Sequence, residues 1–106
     1  VRARVHPAHL DEFRRWYRDV HVPHVLAIPG IVEYRRLSFG SAEQAGMPNV
    51  VSAFLFTDDA VVQQALQSPQ AEQARRDWQT WTEHVRDLQI QVYTTVDART
   101  INRHLN

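Results

Sequence analysis

The order of its hydrophobic periodicities constrains the fold of this 106-residue chain more than any single residue does. Val1 to Val5 alternates apolar and charged side chains, the period of two that is typical of a half-buried strand. Later stretches rich in β-branched and aromatic residues predict three more strands, separated by regions of helical spacing. The predicted strands cover 1–5, 31–39, 50–57 and 88–96, and the predicted helical segments cover about 8–27, 57–66 and 68–85.

This β-α-β-β-α-β order predicts an α+β fold of the ferredoxin-like type, with a four-stranded antiparallel sheet and helices on one face. The loop from Gly40 to Asn49, which is rich in turn-forming residues, would join the two middle strands. The other face of the sheet would carry an apolar patch larger than a soluble monomer leaves exposed. A second copy of the chain is the simplest cover, so we predict a homodimer.

The first helical region places titratable rings on its inner side. Aromatic, apolar and imidazole side chains recur there at helical spacing: Phe13, Tyr17, Val20 and His24, flanked by Leu10 and His21. Pro23 lacks a backbone donor and crowds the preceding turn, so a kink or a break is predicted near Val22. Pro29-Gly30 is expected to end the helical region.

The second helical region is predicted to restart at Ser68, a capping residue, with Pro69 at the first helical position. Steps of three and four then place two indoles on one face. The residues of this stripe are Ala71, Ala74, Trp78, Trp81 and Val85. That face is expected either to pack in the core or to bind a ligand.

Composition excludes several classes of function. Twelve Lys and Arg residues balance twelve Asp and Glu residues, so the chain lacks the excess positive charge of a nucleic-acid-binding domain. No apolar run approaches the roughly 18 residues that a membrane span needs. The absence of cysteine rules out disulfides and thiolate sites and is compatible with the cytoplasm. Residues 1–96 are expected to form one domain, followed by a polar C-terminal tail over 97–106.

One continuous motif resembles a known family. The run from Asp11 to Pro23 (DEFRRWYRDVHVP), followed by Leu26 to Ile31 and by Tyr34, resembles the signature of the EthD-like family within the dimeric α+β barrel superfamily. The motif covers about the first third of the chain, and the element order agrees over nearly all of it. The resemblance implies a homodimer whose sheets close into a barrel, with a pocket between sheet and helices in each subunit.

The superfamily that this motif resembles includes enzymes of many kinds. Cofactor-free quinone-forming monooxygenases, polyketide cyclases, muconolactone isomerases, decarboxylases and more distant haem enzymes all belong to it. The fold alone does not select among these chemistries. The candidate residues must therefore be weighed one by one.

His21 is the first candidate catalytic residue, because it matches the histidine of the family's His-x-Pro pattern and an imidazole suits acid or base work near neutral pH. The alternative is that His21 only caps the kink at Pro23. Tyr17 and His24 lie one turn to either side and could converge on the same cavity. His21-x-x-His24 also has a spacing that can support a metal, with Asp19 nearby, but a clear third ligand is missing, so no metal site is predicted.

Several aromatic residues are candidates for the wall of an apolar pocket, although core packing is the commoner role of tryptophans at helical spacing. The predicted substrate-binding residues are Trp16, Tyr34, Arg36, Phe54, Trp78, Trp81 and Tyr93. Together these residues predict an enzyme without a cofactor that acts on a small aromatic or polyketide-like molecule. Cyclisation, dehydration, decarboxylation, isomerisation and oxygenation all remain open.

Two other readings of the sequence stay open beside this one. The first is a haem-dependent monooxygenase or haem-binding protein, with His21, His24 or His84 as the axial ligand. The second is a dimer that binds a metabolite or a partner without catalysis.

Overall fold

A computed structural model describes residues 1–38 and 46–103 and has the predicted ferredoxin-like α+β architecture. Four antiparallel strands form one sheet in the order β2-β3-β1-β4, and helical segments pack against one face. The strands are β1 (Arg2–Val5), β2 (Ile31–Leu37), β3 (Val50–Phe56) and β4 (Val85–Gln89). The helices are α1 (Leu10–Trp16), α2 (Val22–Leu26), α3 (Val62–Leu66) and α4 (Pro69–Asp77), with 3-10 turns at Pro7–His9, Asp59–Val61 and Trp78–Trp81.

The first helical region contains a π turn where the sequence predicted a kink. Residues Tyr17–His21 form a π-helical segment between α1 and α2, in which the backbone N–H of Val22 bonds to the carbonyl of Tyr17. Pro23 follows directly, within the first turn of α2. A proline ring clashes with the carbonyl one turn earlier in a regular α-helix, and a wider turn relieves that clash. The helical path therefore continues through Pro23 to Leu26 instead of breaking.

Phe13 lies at the centre of the larger of the two core clusters. Its side chain is fully buried, and the ring centroids of four aromatic neighbours lie 5.1–5.9 Å from its own. These neighbours are Trp16, Tyr17, Trp78 and Trp81. Aromatic pairs at such separations contribute packing energy beyond the area that they bury. The cluster joins the first helical region to the 3-10 turn Trp78–Trp81 and to the inner face of β1 and β3.

A tight turn joins α2 to β2 at Gly30. Gly30 has a φ of +97°, and a Cβ atom at this position would lie 2.9 Å from a methyl carbon of Val61. Both the positive φ and the close approach require glycine. The carbonyl of Gly30 also accepts a 2.7 Å hydrogen bond from the N–H of Thr57, so the turn is tied to the end of β3.

A β-bulge changes which residues of β2 face the core. Ile31 pairs with Phe56 and Glu33 with Leu55, so Val32 is an extra residue on β2. Simple alternation placed Ile31 and Tyr34 on opposite faces, but the bulge brings both to the side that packs against the core. Val32 is left exposed.

The last strand lies earlier in the chain than predicted. It covers Val85–Gln89 rather than 88–96, because Val85 pairs with Val5 of β1 and does not extend the helical stripe of the indoles. Gln89 pairs with Arg2, so the residues after Gln89 have no described residue of β1 opposite them. They continue along the molecule, and the N–H of Thr95 donates to a carboxylate oxygen of Asp59 at 3.1 Å.

Three predictions fall partly outside the described residues. The extension of the second strand through Phe39 and most of the loop from Gly40 to Asn49 lie outside them, as do the last three residues of the predicted tail. None of the described helices is long and apolar enough to cross a membrane.

Candidate functional site

A buried carboxylate on α4 holds two imidazoles of the first helical region. Oδ2 of Asp77 lies 2.8 Å from Nδ1 of His21 and 2.8 Å from Nδ1 of His24. Oδ1 of the same carboxylate accepts a 3.2 Å hydrogen bond from Nε2 of Gln73, one turn earlier on α4. The helical turn around Pro23 keeps both histidines on the side of the helix that faces α4, so the two rings converge on one oxygen.

The ionisation of this group follows from its surroundings. Burial opposes ionisation of Asp77, but the hydrogen bonds from His24, His21 and Gln73 outweigh it and lower the pKa of the carboxyl. An ionised carboxylate can only accept, so each Nδ1 carries a proton and donates it to Oδ2. Burial lowers the pKa of His21, and Asp77 opposes that effect only in part. At neutral pH, His21 is therefore an uncharged ring whose other nitrogen, Nε2, is free to accept a proton.

Aromatic rings surround His21 on several sides. The indole of Trp16 stacks on the imidazole at 5.5 Å with an interplanar angle of 16°, and the rings of Tyr17 and Trp78 both lie at 5.0 Å. The His21 side chain is only 2% exposed. Within the described residues, Nε2 of His21 makes no hydrogen bond. It is also not one of the side-chain atoms that are both fully buried and without a hydrogen-bond partner. We infer that the remaining exposure of the ring includes Nε2.

His21 forms part of the wall of the larger of two cavities between the sheet and the helices. This cavity measures about 440 Å³, within the range of about 300–1,000 Å³ that is common for small-molecule sites. Its lining is mainly apolar and comes from α2, β3, α4 and the segment 90–93 after β4. Arg75 is the one charged side chain, besides the titratable His21 and Tyr93, among the described residues of this wall. The Arg75 guanidinium donates to the carbonyl of Leu66 at 3.0 Å.

The smaller cavity lies on the other side of Tyr17. It measures about 310 Å³, and its described lining includes Tyr34, Arg36 and Ser52. The Tyr17 hydroxyl is 2.5 Å from Oγ of Ser52, and burial raises the pKa of this phenol to about 12. Tyr17 is therefore protonated at neutral pH and is held by Ser52.

The candidate catalytic residues are thus adjacent but do not share one cavity wall. His21 faces the larger cavity, Tyr17 the smaller one, and His24 lines neither, although its ring binds the same carboxylate as His21. The side chain of His24 is 40% exposed. The His24 ring therefore lies beside Asp77 and outside the cavity wall, so it would not touch a ligand in the cavity.

The candidate substrate-binding residues are divided among the cavities and the core. Phe54, Trp78 and Tyr93 line the larger cavity, whereas Tyr34 and Arg36 line the smaller one. Tyr34 and Phe54 stack at 5.2 Å, with one ring facing each cavity. Trp16 covers His21, and Trp81 packs in the aromatic core with its indole N–H buried and without a hydrogen-bond partner in the described part of the chain.

Asp77 was not among the residues that the sequence pattern singled out. A weak signal was present, because Asp77 lies three residues after Ala74 and four before Trp81 and so belongs to the buried face of α4. Ser52 and the cavity residues 90–92 were also missed. Among the described residues, no group of three or more His, Cys, Asp and Glu side chains has an arrangement that could hold a metal ion.

The fold and this site together define a small ferredoxin-like α+β domain with an apolar cavity beside a histidine–carboxylate pair. The model of the EthD domain matches residues 6–87, and the chain belongs to the EthD family. A crystal structure of an ethyl tert-butyl ether D (EthD) family protein from Bacillus halodurans C-125 has a similar fold, with a TM-score of 0.63 and 17% sequence identity. The match covers 79% of this chain and 86% of that one. No curated protein matches the sequence significantly.

Proposed function

We propose that this protein is an enzyme that moves a proton on a small aromatic or polyketide-like molecule bound in the larger cavity, with His21 as the base. The observation that carries the proposal is the pair formed by His21 and the buried Asp77 in the wall of an otherwise apolar cavity. Membership of the EthD family supports it, because it suggests a domain that binds or acts on a small molecule.

The proposed step uses the two ring nitrogens of His21 differently. Nδ1–H stays bonded to Asp77, which fixes the tautomer and leaves the lone pair on Nε2 for the substrate. Nε2 takes a proton from an acidic C–H or O–H of the substrate, which keeps the electron pair as an enolate or phenolate. The positive charge that forms on His21 is then balanced by Asp77. Return of the proton to another carbon gives isomerisation, and its transfer to a departing hydroxyl gives dehydration. If the enolate carbon instead attacks a carbonyl of the same molecule, the alkoxide that forms takes the proton and the product is cyclised. Oxygenation starts from the same anion and uses O₂ as the co-reactant.

The shape and chemistry of the cavity favour an aromatic ligand with one acidic group. Phe54, Phe56, Trp78 and Tyr93 offer ring surfaces, and Arg75 offers a cation at the wall. A carboxylate on the ligand would find its charge partner in Arg75 while its apolar body stays among these rings.

Benzoylacetate is a suitable probe, since it combines an aromatic ring, an activated methylene and a carboxylate. We expect the protein to accelerate hydrogen–deuterium exchange at the methylene in D₂O, observed by NMR against the spontaneous rate. A cavity-filling variant, Ala74→Phe, should lose both the acceleration and quenching of tryptophan fluorescence by the probe, with circular dichroism as the check on folding. Binding without faster exchange would indicate a binding module, and no binding at all would place the site elsewhere.

Haem is the second candidate ligand, because a buried histidine whose Nδ1 is held by a carboxylate is also a suitable axial ligand. His21 would hold the iron through Nε2, and the group would supply redox chemistry when bound. Titration with haemin tests this candidate. A sharp Soret band at one haem per chain that disappears in His21→Gln supports it, whereas an unchanged haemin spectrum leaves the cofactor-free reaction, which we favour.

We also propose that the protein acts as a homodimer through the sheet face that the helices leave open. Leu37 and Leu55 are exposed there, and the segment after β4 carries more exposed apolar side chains: Ile90, Val92, Val96 and Ile101. Burial against a second copy would remove these side chains from water. Light scattering at micromolar concentration should report twice the chain mass, and a folded monomer under those conditions would contradict the arrangement.

A further inference from the structure

One oxygen of Asp77 serves two imidazoles that differ sharply in exposure. Nδ1 of His21 and Nδ1 of His24 both lie 2.8 Å from Oδ2, but the His21 side chain is 2% exposed and the His24 side chain is 40% exposed. Oδ1 is occupied by Gln73. The carboxylate is itself buried, with its side chain 6% exposed, so water cannot readily take the place of either ring.

A single carboxylate can balance one imidazolium but not two. If both rings were protonated, one positive charge would remain without compensation beside the buried His21 ring. A positive charge on the His24 ring therefore lowers the affinity of His21 for a proton. The exposed ring can exchange its proton with bulk water, whereas the buried ring exchanges with whatever occupies the cavity. The pair therefore links the charge state of the cavity wall to that of the surface.

We propose that His24 is a positioning residue that sets the proton affinity of His21 by sharing Oδ2 of Asp77 with it. This inference rests on the proposed function of His21 as the base and adds a residue that would not touch the substrate. The N–H of His24 donates to Oδ2 of Asp77, the same oxygen that stabilises a proton on His21. His24 thereby keeps His21 from being held permanently in its protonated form by a carboxylate only 2.8 Å away.

Other titratable groups face His21 without bonding to it. Tyr17 lies one turn earlier on the same helix but hydrogen-bonds to Ser52, and its phenol is neutral. Arg75, Tyr93 and the amino group of Val1 belong to the wall of the same cavity. Asp77 is the partner of His21 within hydrogen-bonding distance among the described residues. Burial and, to a smaller extent, the charge of His24 lower the pKa of His21, whereas Asp77 raises it.

This geometry predicts how each substitution at position 24 changes the proton affinity of His21. His24→Leu removes the competing donor, so Oδ2 of Asp77 interacts with His21 alone and the proton affinity of His21 rises. His24→Lys places a fixed positive charge near Asp77, so the proton affinity of His21 falls. Each substitution should change the proton affinity of His21 roughly tenfold, which moves the midpoint of its titration by about one pH unit. Because the position is partly exposed, neither side chain has to be forced into the core.

The test is an NMR titration of the histidine ring signals, with His21 assigned by its loss in His21→Gln. We expect the His21 midpoint to move up in His24→Leu and down in His24→Lys, and to stay in place in the control His9→Gln. His9 is a suitable control because its ring stacks on His84, away from Asp77. Equal His21 midpoints in wild type, His24→Leu and His24→Lys would overturn the proposal.

Activity then separates this inference from the proposed function. If His21 is the base, the pH profile of benzoylacetate exchange should move in the same direction as the NMR midpoint in each variant. If the midpoints move but the exchange rate does not follow them, the positioning role stands and the assignment of His21 as the base fails. If the exchange needs His21 but the midpoints do not move, the proposed function stands and the role of His24 fails.

Discussion

His21→Gln is expected to lower the rate of catalysed proton exchange by roughly 10²- to 10⁴-fold, the usual contribution of a general base. Glutamine is close to histidine in length and can still donate an N–H to Asp77, but its amide has no lone pair of useful basicity. The fold should remain, because the aromatic neighbours of His21 pack mainly on one another and on Phe13. The measurement is the exchange rate of benzoylacetate, taken beside the melting temperature of the same sample.

A purely structural role for His21 makes the opposite prediction. The exchange rate of His21→Gln per folded molecule would then stay near that of wild type, whereas His21→Ala, which cannot make the hydrogen bond to Asp77, would lose about 1 kcal/mol of stability. Asp77→Asn is a matched control, since it keeps an acceptor for His21 and removes the charge. A rate between those of wild type and His21→Gln is expected for it.

Phe13→Ala is expected to give the largest loss of stability, about 3–5 kcal/mol, as for other large-to-small changes at fully buried aromatic positions. The substitution removes the ring that four other aromatic rings contact and leaves a cavity between α1 and the 3-10 turn Trp78–Trp81. Urea denaturation followed by tryptophan fluorescence measures the change, since all three tryptophans lie in or beside this cluster.

The control for Phe13→Ala lies on the same helical path. Val20 is exposed, so Val20→Ala should change the free energy of unfolding by less than about 0.5 kcal/mol. A loss below about 1 kcal/mol in Phe13→Ala would show that the cluster repacks around the missing ring, and that Phe13 is not the centre of the core.

Local sequence patterns were sufficient to predict the order of strands and helices and to place His21 on the inner side of the first helical region. The alternating burial of Arg2–Val5 and the cap at Ser68 both appear as predicted. Spacing along one helix also explains why His21 and His24 turn toward a common neighbour. The identity of that neighbour was beyond such reasoning, because Asp77 lies 56 residues from His21 and an aspartate on a helix is most often on the solvent side.

The differences in the strands have a related cause. The length of β4 depends on how far β1 extends beside it, and the face that Ile31 presents depends on a bulge that alternation does not reveal. The length of β4 and the face of Ile31 both depend on how two strands pair, which the sequence of a single strand does not show. Likewise, Pro23 predicted a disturbance in the helix, but the local pattern did not show that the backbone would widen into a π turn instead of breaking, with His21 and Val25 buried on either side of the proline.

The π turn at Tyr17–His21 has a consequence for how this protein tolerates insertions and deletions. A π turn holds one residue more than the α-helical turn that would replace it, so deleting one residue there can restore regular helix. The exposed Val20 is the natural position for such a deletion. The wide turn already absorbs the additional residue, so the residues after the deletion would keep nearly the same orientation relative to Phe13. The two imidazoles would still face α4, so we expect this turn to tolerate the loss of a single codon, whereas the same deletion within α1 would rotate every following residue by about 100°.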